Sequence, residues 1–308
     1  MKIKADSRSG IKAYVIALPV LLAVSLAITT ADFLAKGNLA NLSSQIAPLA
    51  IASLGQLLVA LAGGIDLSVG STVSLTTCLL VASNGSTWGI ALALGIALLI
   101  GITNGIAVGY AGMHPIIATL SSMTFVQGMA LYWLPSAGGA TPQFLPTLVN
   151  SEVVGIPATV LIILGFFLVV WWLLGRTRFG LQLFAVGANS RNASLNGVSD
   201  VRVIVATYAL CSCLAAVAGI VLAGRVGSGD PVIGSQFALN SVTAVALGGV
   251  QFSGGVGSAL GALSGVITLG LMRNGMNLIG VDAFLQSAAT GLLLLAAISF
   301  QRRNTIGF

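Results

Sequence analysis

The chain has 308 residues, of which 56% are hydrophobic and only 6% charged, and its formal net charge is +6. Soluble domains carry roughly a quarter charged residues, so these few charges could not cover a water-facing surface, whereas lipid solvates an apolar one. In a soluble chain the positive excess would suggest a nucleic-acid partner; here the basic residues gather in a few segments, which is the pattern of membrane topology and speaks against nucleic acid.

Lys2, Lys4, Arg8 and Lys12 precede an uncharged apolar run. That run is long for the hydrophobic part of a signal peptide and no small-residue cleavage site follows it, so it reads as a retained first span. From Leu67 to Ser151 there is no Asp, Glu, Lys or Arg. A span needs about 20 apolar residues, and exposed irregular backbone in lipid would leave amides unpaired, so the apolar segments are expected to be helices. They lack the alternation of barrel strands. Hydropathy predicts about ten spans, near 13–31, 43–62, 67–83, 89–110, 116–134, 157–175, 202–224, 238–251, 256–272 and 281–300. The third, fifth and eighth are the weakest and are expected to be broken or re-entrant.

Threading ten spans with the N-terminus inside places Lys2, Lys4, Arg8, Lys12, Arg176, Arg178, Arg191, Arg202, Arg302 and Arg303 in the cytoplasm. Lys36, Arg225 and Arg273 fall outside. This asymmetry supports an even number of spans and two cytoplasmic termini. The expected architecture is an all-α polytopic membrane protein, one transmembrane domain over 1–308. A basic cytoplasmic loop at about 176–202 invites a soluble partner. An outer polar stretch, 136–156, holds Pro142, Pro146 and Glu152.

Residues 60–71 (ALAGGIDLSVGS) and 246–258 (ALGGVQFSGGVGS) form a weak internal repeat. Each joins an inward-running span to an outward-running one, as a parallel repeat would. Gly101, Gly105 and Gly109, and again Gly257, Gly261 and Gly265, make ridges of small residues that let helices approach closely in lipid. They predict a tightly packed bundle and an oligomer. Cys78, Cys211 and Cys213 lie in apolar spans and read as small apolar filler; a lone Cys-x-Cys is too little for a metal site.

Asp66 is the acidic residue most embedded in apolar sequence. Two readings stand side by side: a helix N-cap after a glycine bend, or a group in the substrate route or its gate. His114, before Pro115 at a cytoplasmic turn, reads as a turn residue. Asp230-Pro231 in an outer loop, with Glu152, reads as a solubilising charge or an external contact. No G-x-x-x-x-G-K-[ST] occurs, so the chain does not cradle ATP, and neither H-E-x-x-H nor G-x-S-x-G is present. The interior lacks the several acids and histidines of a proton relay, which favours a pathway powered by another subunit.

Several stretches taken together carry a resemblance. Gly63-Gly64-Ile65-Asp66-Leu67-Ser68-Val69-Gly70-Ser71 resembles the signature of ribose-type ABC permeases, the membrane subunits of monosaccharide importers. Asn104-Gly105 through Pro115-Ile116-Ile117-Ala118-Thr119-Leu120 is similar to the family's next block. Ala246-Leu247-Gly248-Gly249 and Arg273 to Val281 are similar to its C-terminal blocks. The resemblance implies a pathway or gate near Gly63, Gly64, Asp66, Ser68, Gly248 and Gly249. Phe184 to Gly197 resembles the family's coupling segment, the short helix that docks on the ATPase, with matches at Gly187, Asn189, Ala193, Leu195 and Gly197.

Arg191 stands where the family usually has an acid, Asn192 where it has alanine, and His114 where it more often has proline. The first change reverses charge at the expected ATPase contact, which leaves the ATPase partner and the choice of homodimer or heterodimer open. The resemblance further implies cytoplasmic ABC ATPase subunits carrying ATP and Mg, no cofactor in this chain, a second permease chain, a periplasmic sugar-binding protein and a bacterial inner membrane. The rival readings are a branched-chain amino acid type permease, a stand-alone carrier or channel, and a membrane-embedded enzyme or scaffold. The last would show a cluster of catalytic polar residues, and the sequence shows none.

Overall fold

Residues 13–299 are described in a computed structural model of the chain. Among them are 13 helices: α1 (Ala13–Thr29), α2 (Lys36–Leu61), α3 (Ser68–Ala82), α4 (Trp88–Gly109), α5 (Pro115–Trp133), α6 (Phe144–Val149), α7 (Ala158–Arg176), α8 (Arg178–Ala188), α9 (Ser190–Leu195), α10 (Asp200–Val226), α11 (Ser235–Leu247), α12 (Ala259–Leu278) and α13 (Ala283–Ser299). One small antiparallel hairpin, β1 (Glu152–Val153) with β2 (Ile156–Pro157), interrupts them. The N-terminal basic cluster and the Arg302–Arg303 pair lie outside the described residues.

The protein is an all-α polytopic membrane protein. Helices α2, α4, α5, α7 and α10 are long and apolar enough to cross a membrane. Shorter apolar helices run over Val15–Thr29, Ser68–Ala82 and Ala283–Ser299. Each expected span has a helix at its place. The third and eighth are short: 15 residues of α3 and 13 of α11 reach only about 22 and 20 Å at 1.5 Å per residue, against about 30 Å of hydrocarbon. The fifth, α5, is continuous over 19 residues. The polar stretches hold structure that hydropathy does not see: α6 and the hairpin at 144–157, and α8 and α9 at 178–195.

Helix α2 is the axis of the bundle. From Ile46 to Leu61 every residue is buried, as expected of a helix apolar on all faces and surrounded by others. It packs against α10, α12, α11 and α7. Leu57, Leu58 and Leu61 meet Phe167, Val170 and Leu174 of α7 and Leu183 and Val186 of α8 in the largest apolar cluster. Helix α10 carries α4 on its other side, α3 sits between α4, α5 and α10, and α1 covers α12. The Ser264 hydroxyl donates to Val15 O across the α1–α12 contact.

The glycine ridges are used within the chain. A Cβ on Gly101 would lie 2.6 Å from Ala209 Cα, and one on Gly105 would lie 2.5 Å from Val205 Cα, so α4 and α10 touch backbone to backbone. Gly261 and Gly265 meet Gly248 and Ala244 of α11 in the same way. Gly257 precedes α12 and packs on Val250 and Leu61. Since both ridges are spent on internal packing, they carry no argument for an oligomer.

Segments assigned to one side of the membrane meet one another. Of the segments expected outside, Gly138 pairs with Gly229, and Thr141 N donates to Gly227 O (3.3 Å). Of those expected inside, Gly255 N donates to Leu61 O (2.9 Å). Arg225 and Arg273, expected in outer loops, sit instead within helices, Arg225 in the last turn of α10 and Arg273 in the body of α12. Gly105→Leu is expected to force α4 off α10. Overpacking in a tight core costs about 1–3 kcal/mol, and the clash here is with backbone, so a marked fall in melting temperature in detergent is expected. Gly128→Leu, whose Cβ meets nothing within 4 Å, should leave it unchanged.

Candidate functional site

The two halves of the sequence repeat end their helices alike. At the end of α2, Gly63 has φ +86°, Gly64 N donates to Val59 O (3.0 Å) and Gly63 N to Ala60 O (3.0 Å). At the end of α11, Gly249 has φ +75°, Val250 N donates to Val245 O (3.2 Å) and Gly249 N to Ala246 O (3.0 Å). This is the double hydrogen bond that closes a helix on a left-handed glycine. The same motif ends α9 and α12, so it alone is weak evidence for a repeat. The two repeat turns, however, hold it at matching positions and touch each other.

Beyond the first turn lies Asp66, fully buried. Its Oδ1 accepts from Ser68 N (2.8 Å) and Ser68 Oγ (2.6 Å), and Ser68 Oγ accepts from Asn104 Nδ2 (2.9 Å). The N-cap position belongs to Leu67, not Asp66. Asp66 stands one residue earlier and grips the first residue of α3, so it closes the turn as well as the helix. The Gln56 amide, oriented to satisfy both groups, donates to Asp66 O (3.0 Å) and accepts from Asp66 N (3.2 Å). Thr119 Oγ1 donates to Ile65 O (3.2 Å). Cys211 lies beside the carboxyl, and within the described residues Asp66 Oδ2 and Tyr208 OH have no hydrogen-bond partner. A buried polar group without a partner is costly, and two in one place mark the spot where the interior is not fully satisfied.

The sequence flagged Gly63, Gly64, Asp66 and Ser68, and the structure brings them together in this turn. Gly64 packs against Tyr208, whose hydroxyl would lie 2.5 Å from an added Cβ. Gly248 and Gly249 are at the end of α11, and Gly248 packs on Gly261. Sequence reading missed Gln56, Tyr208 and Cys211 because they come from α2 and α10 and share no local motif with Asp66. The one available signal was an amide, Gln56, inside an otherwise apolar helix.

The second group, 187–197, divides in two. Gly187, at the end of α8, is turned inward. A Cβ there would lie 1.8 Å from Leu61 O and 2.6 Å from Gly255 N. Added Cβ atoms at Gly254 and Gly255 would strike Gly187 O (2.5 Å) and Ala188 Cα (2.9 Å). Three stretches of backbone, 61–63, 187–188 and 253–255, are thus in direct contact. Asn189 caps α9, its side-chain oxygen accepting from Asn192 N (2.9 Å). Ala193 is buried beneath α9, while Arg191, Asn192 and Leu195 are exposed, Leu195 at 78%. Gly197 has φ +80° and closes α9. His114 precedes Pro115 at the first turn of α5, accepting from Ile117 N (3.0 Å) and Ala118 N (3.1 Å) through its carbonyl, and is exposed. Among the described residues no group of three His, Cys, Asp or Glu side chains could hold a metal ion.

The family model described as "Branched-chain amino acid transport system / permease component" matches residues 38–298, a span that takes in both turns, the α8–α9 segment and all but the first span. The chain belongs to this permease family. Among curated proteins, the permease is 34% identical over 292 residues to the ribose import permease protein RbsC of Bacillus subtilis, covering 92% of this chain and 91% of that one. It is 32% identical over 296 residues to RbsC of Escherichia coli K12, with the same coverage. It is also 32% identical over 289 residues to the L-arabinose transport system permease protein AraH of E. coli K12, covering 92% and 88%. No solved structure matches. The permease is a multi-pass membrane transport subunit and not an enzyme.

Asp66→Asn keeps an oxygen that can accept from Ser68, and is expected to preserve the melting temperature of the permease in detergent. Asp66→Ala removes the acceptor of two buried hydrogen bonds, and leaving such donors unsatisfied costs about 1–3 kcal/mol each, so its melting temperature should fall clearly below that of the Asn variant.

Proposed function

We propose that the permease forms the translocation pathway of an ATP-driven importer for a monosaccharide of the ribose or arabinose kind, working as one transmembrane unit. In this reading ten passes cross the bilayer and both termini are cytoplasmic. The support is the basic asymmetry of the sequence together with the way inner turns meet inner turns and outer loops meet outer loops. A cytoplasmic ATPase pair supplies ATP and Mg, a second permease chain completes the pathway, and a periplasmic binding protein delivers the sugar. The family match and the sugar permeases among the relatives support these assignments.

The observation that carries the mechanism is the backbone junction at Gly187. Helix α9 presents Arg191, Asn192 and Leu195 outward from the basic cytoplasmic segment, an exposed leucine among polar groups and a natural seat for a partner. Its inner neighbour Gly187 lies directly on Leu61 and Gly255, the two turns of the repeat. A rigid-body shift of α8–α9 driven by the ATPase would therefore reach both turns at once, and through Asp66 the start of α3. The sugar alone, without different contacts in the two states, could not drive this change.

The test is reconstitution of the permease with its ATPase and binding protein in vesicles, following uptake of D-ribose and L-arabinose with leucine as the contrast. ATP-dependent uptake of a sugar and not of leucine is expected. Leu195→Asp should reduce ATPase capture by about thirtyfold, the effect of losing a contact worth about 2 kcal/mol, with the melting temperature of the isolated permease unchanged. Gly187→Ala, whose added methyl strikes the Leu61 backbone, should lower the melting temperature of the permease and separate the ATPase activity of the complex that still assembles from uptake. Solute movement by the permease alone, without ATP, would overturn the reading in favour of a stand-alone carrier.

A further inference from the structure

The stretch between α10 and α11, expected to be an outer loop, goes deep into the bundle. Asp230 N donates to Thr77 Oγ1, which in turn contacts Asp230 O (both 3.1 Å). Gln127 Nε2, from the body of α5, donates to Pro231 O (2.6 Å). Gly234 N donates to Ser74 Oγ (2.9 Å), and a Cβ on Gly234 would lie 2.1 Å from Gly70 O. Ser74 is near the middle of α3, about 12 Å before its outer end at 1.5 Å per residue. Residues 230–234 are therefore a non-helical stretch of chain that runs alongside α3 towards its middle, and α11 starts level with the middle of α3.

Irregular backbone at this depth is tolerated only where protein buries it or where it lines a water-filled cavity. Protein covers one side of it. The other side is open: Val232, Ser235, Gln236 and Leu239 are exposed, and neither Ser235 nor Gln236 makes a side-chain hydrogen bond within the described residues. One turn after Gln236, the buried Asn240 accepts from Arg273 Nη2 (3.0 Å), which sets a cation of α12 beside the same face. The large exposed side chains of α7, by contrast, are all apolar and include Leu161, Leu164, Leu168, Val169 and Trp172, a surface suited to lipid. The first amides of α11 are in use, Ser235 N on Val232 O (3.0 Å) and Phe237 N on Gly234 O (2.8 Å), so what the face offers is side-chain hydroxyl, amide and guanidinium.

We infer that this face of α11 lines the sugar route, and that Gln236 and Ser235 hydrogen-bond the monosaccharide as it passes. The inference rests on the importer reading. A neutral polyol matches the chemistry, because a side-chain amide and a hydroxyl each both donate and accept, as sugar hydroxyls do.

The test uses the full complex in vesicles. Gln236→Cys is treated with a charged, membrane-impermeant thiosulfonate reagent during uptake of D-ribose. Leu168→Cys serves as the lipid-facing control, and the unsubstituted chain, whose three cysteines are buried or half-buried, gives the background. Labelling of Gln236→Cys above that background, slowed severalfold by the sugar and its binding protein, is expected, with no labelling of Leu168→Cys. Where Gln236→Cys fails to assemble with the ATPase, Ser235→Cys carries the same test. Absence of labelling throughout the transport cycle would overturn the inference, showing the face covered by lipid or by a second chain, and labelling indifferent to the sugar would overturn the contact. ATP-driven uptake by the unsubstituted complex is read in the same vesicles, so a failure here is separable from a failure of the importer reading.

Discussion

A helix that ends inside packed protein has no water to satisfy its last backbone groups, and this constraint governs the central structure of the permease. Each interior break is closed by something specific. Gly63 and Gly249 let the chain turn while the last carbonyls are still bonded. Asp66 and Gln56 serve the backbone and the first residue of the next helix. Thr77, Ser74 and Gln127 serve the irregular stretch before α11. These polar side chains, out of place in so apolar a sequence, serve the points where the helical ladder is interrupted.

Glycine has a second use here, one of proximity. Where α4 crosses α10, where α12 meets α11 and where α8 ends against the two inner turns, a Cβ would be driven into backbone. Without a hydrophobic force between helices in lipid, close packing supplies much of the cohesion. At Gly187 it also supplies stiffness: three backbones in contact have no side chain between them to flex, so displacement of one is displacement of all.

The sequence made the class of fold legible because hydropathy is a long, redundant signal. Every expected span has its helix, and the two that fall short, α3 and α11, were among the weakest in hydropathy. The Asp66 turn was legible too, since GGIDLS is local. Its surroundings were not: Tyr208 and Cys211 reach it from α10, through packing that no spacing rule reports. The reading of Cys211 as filler missed its place beside the carboxyl for the same reason. The ridges at Gly101 and Gly105 were correctly seen as contacts, but sequence could not say that the contact was internal. The descent of 227–234 was hidden because Gly, Ser, Asp and Pro look alike in an outer loop and in a buried break.

The burial of α2 on every face bears on how the chain assembles. Domains and helices emerge from synthesis in order, N-terminal first, and α2 enters the membrane well before α10 and α12, which later enclose it. Gln56, Asp66 and Ser68 all lie within the hairpin of α2 and α3, so their mutual hydrogen bonds can form as soon as those two helices are in place. Asn104 joins with α4, and Tyr208 and Cys211 arrive last. The most polar point of the interior thus gains its Ser68 and Gln56 hydrogen bonds locally while its walls are still being made, and what waits for the second half of the chain is the wall around the other carboxyl oxygen.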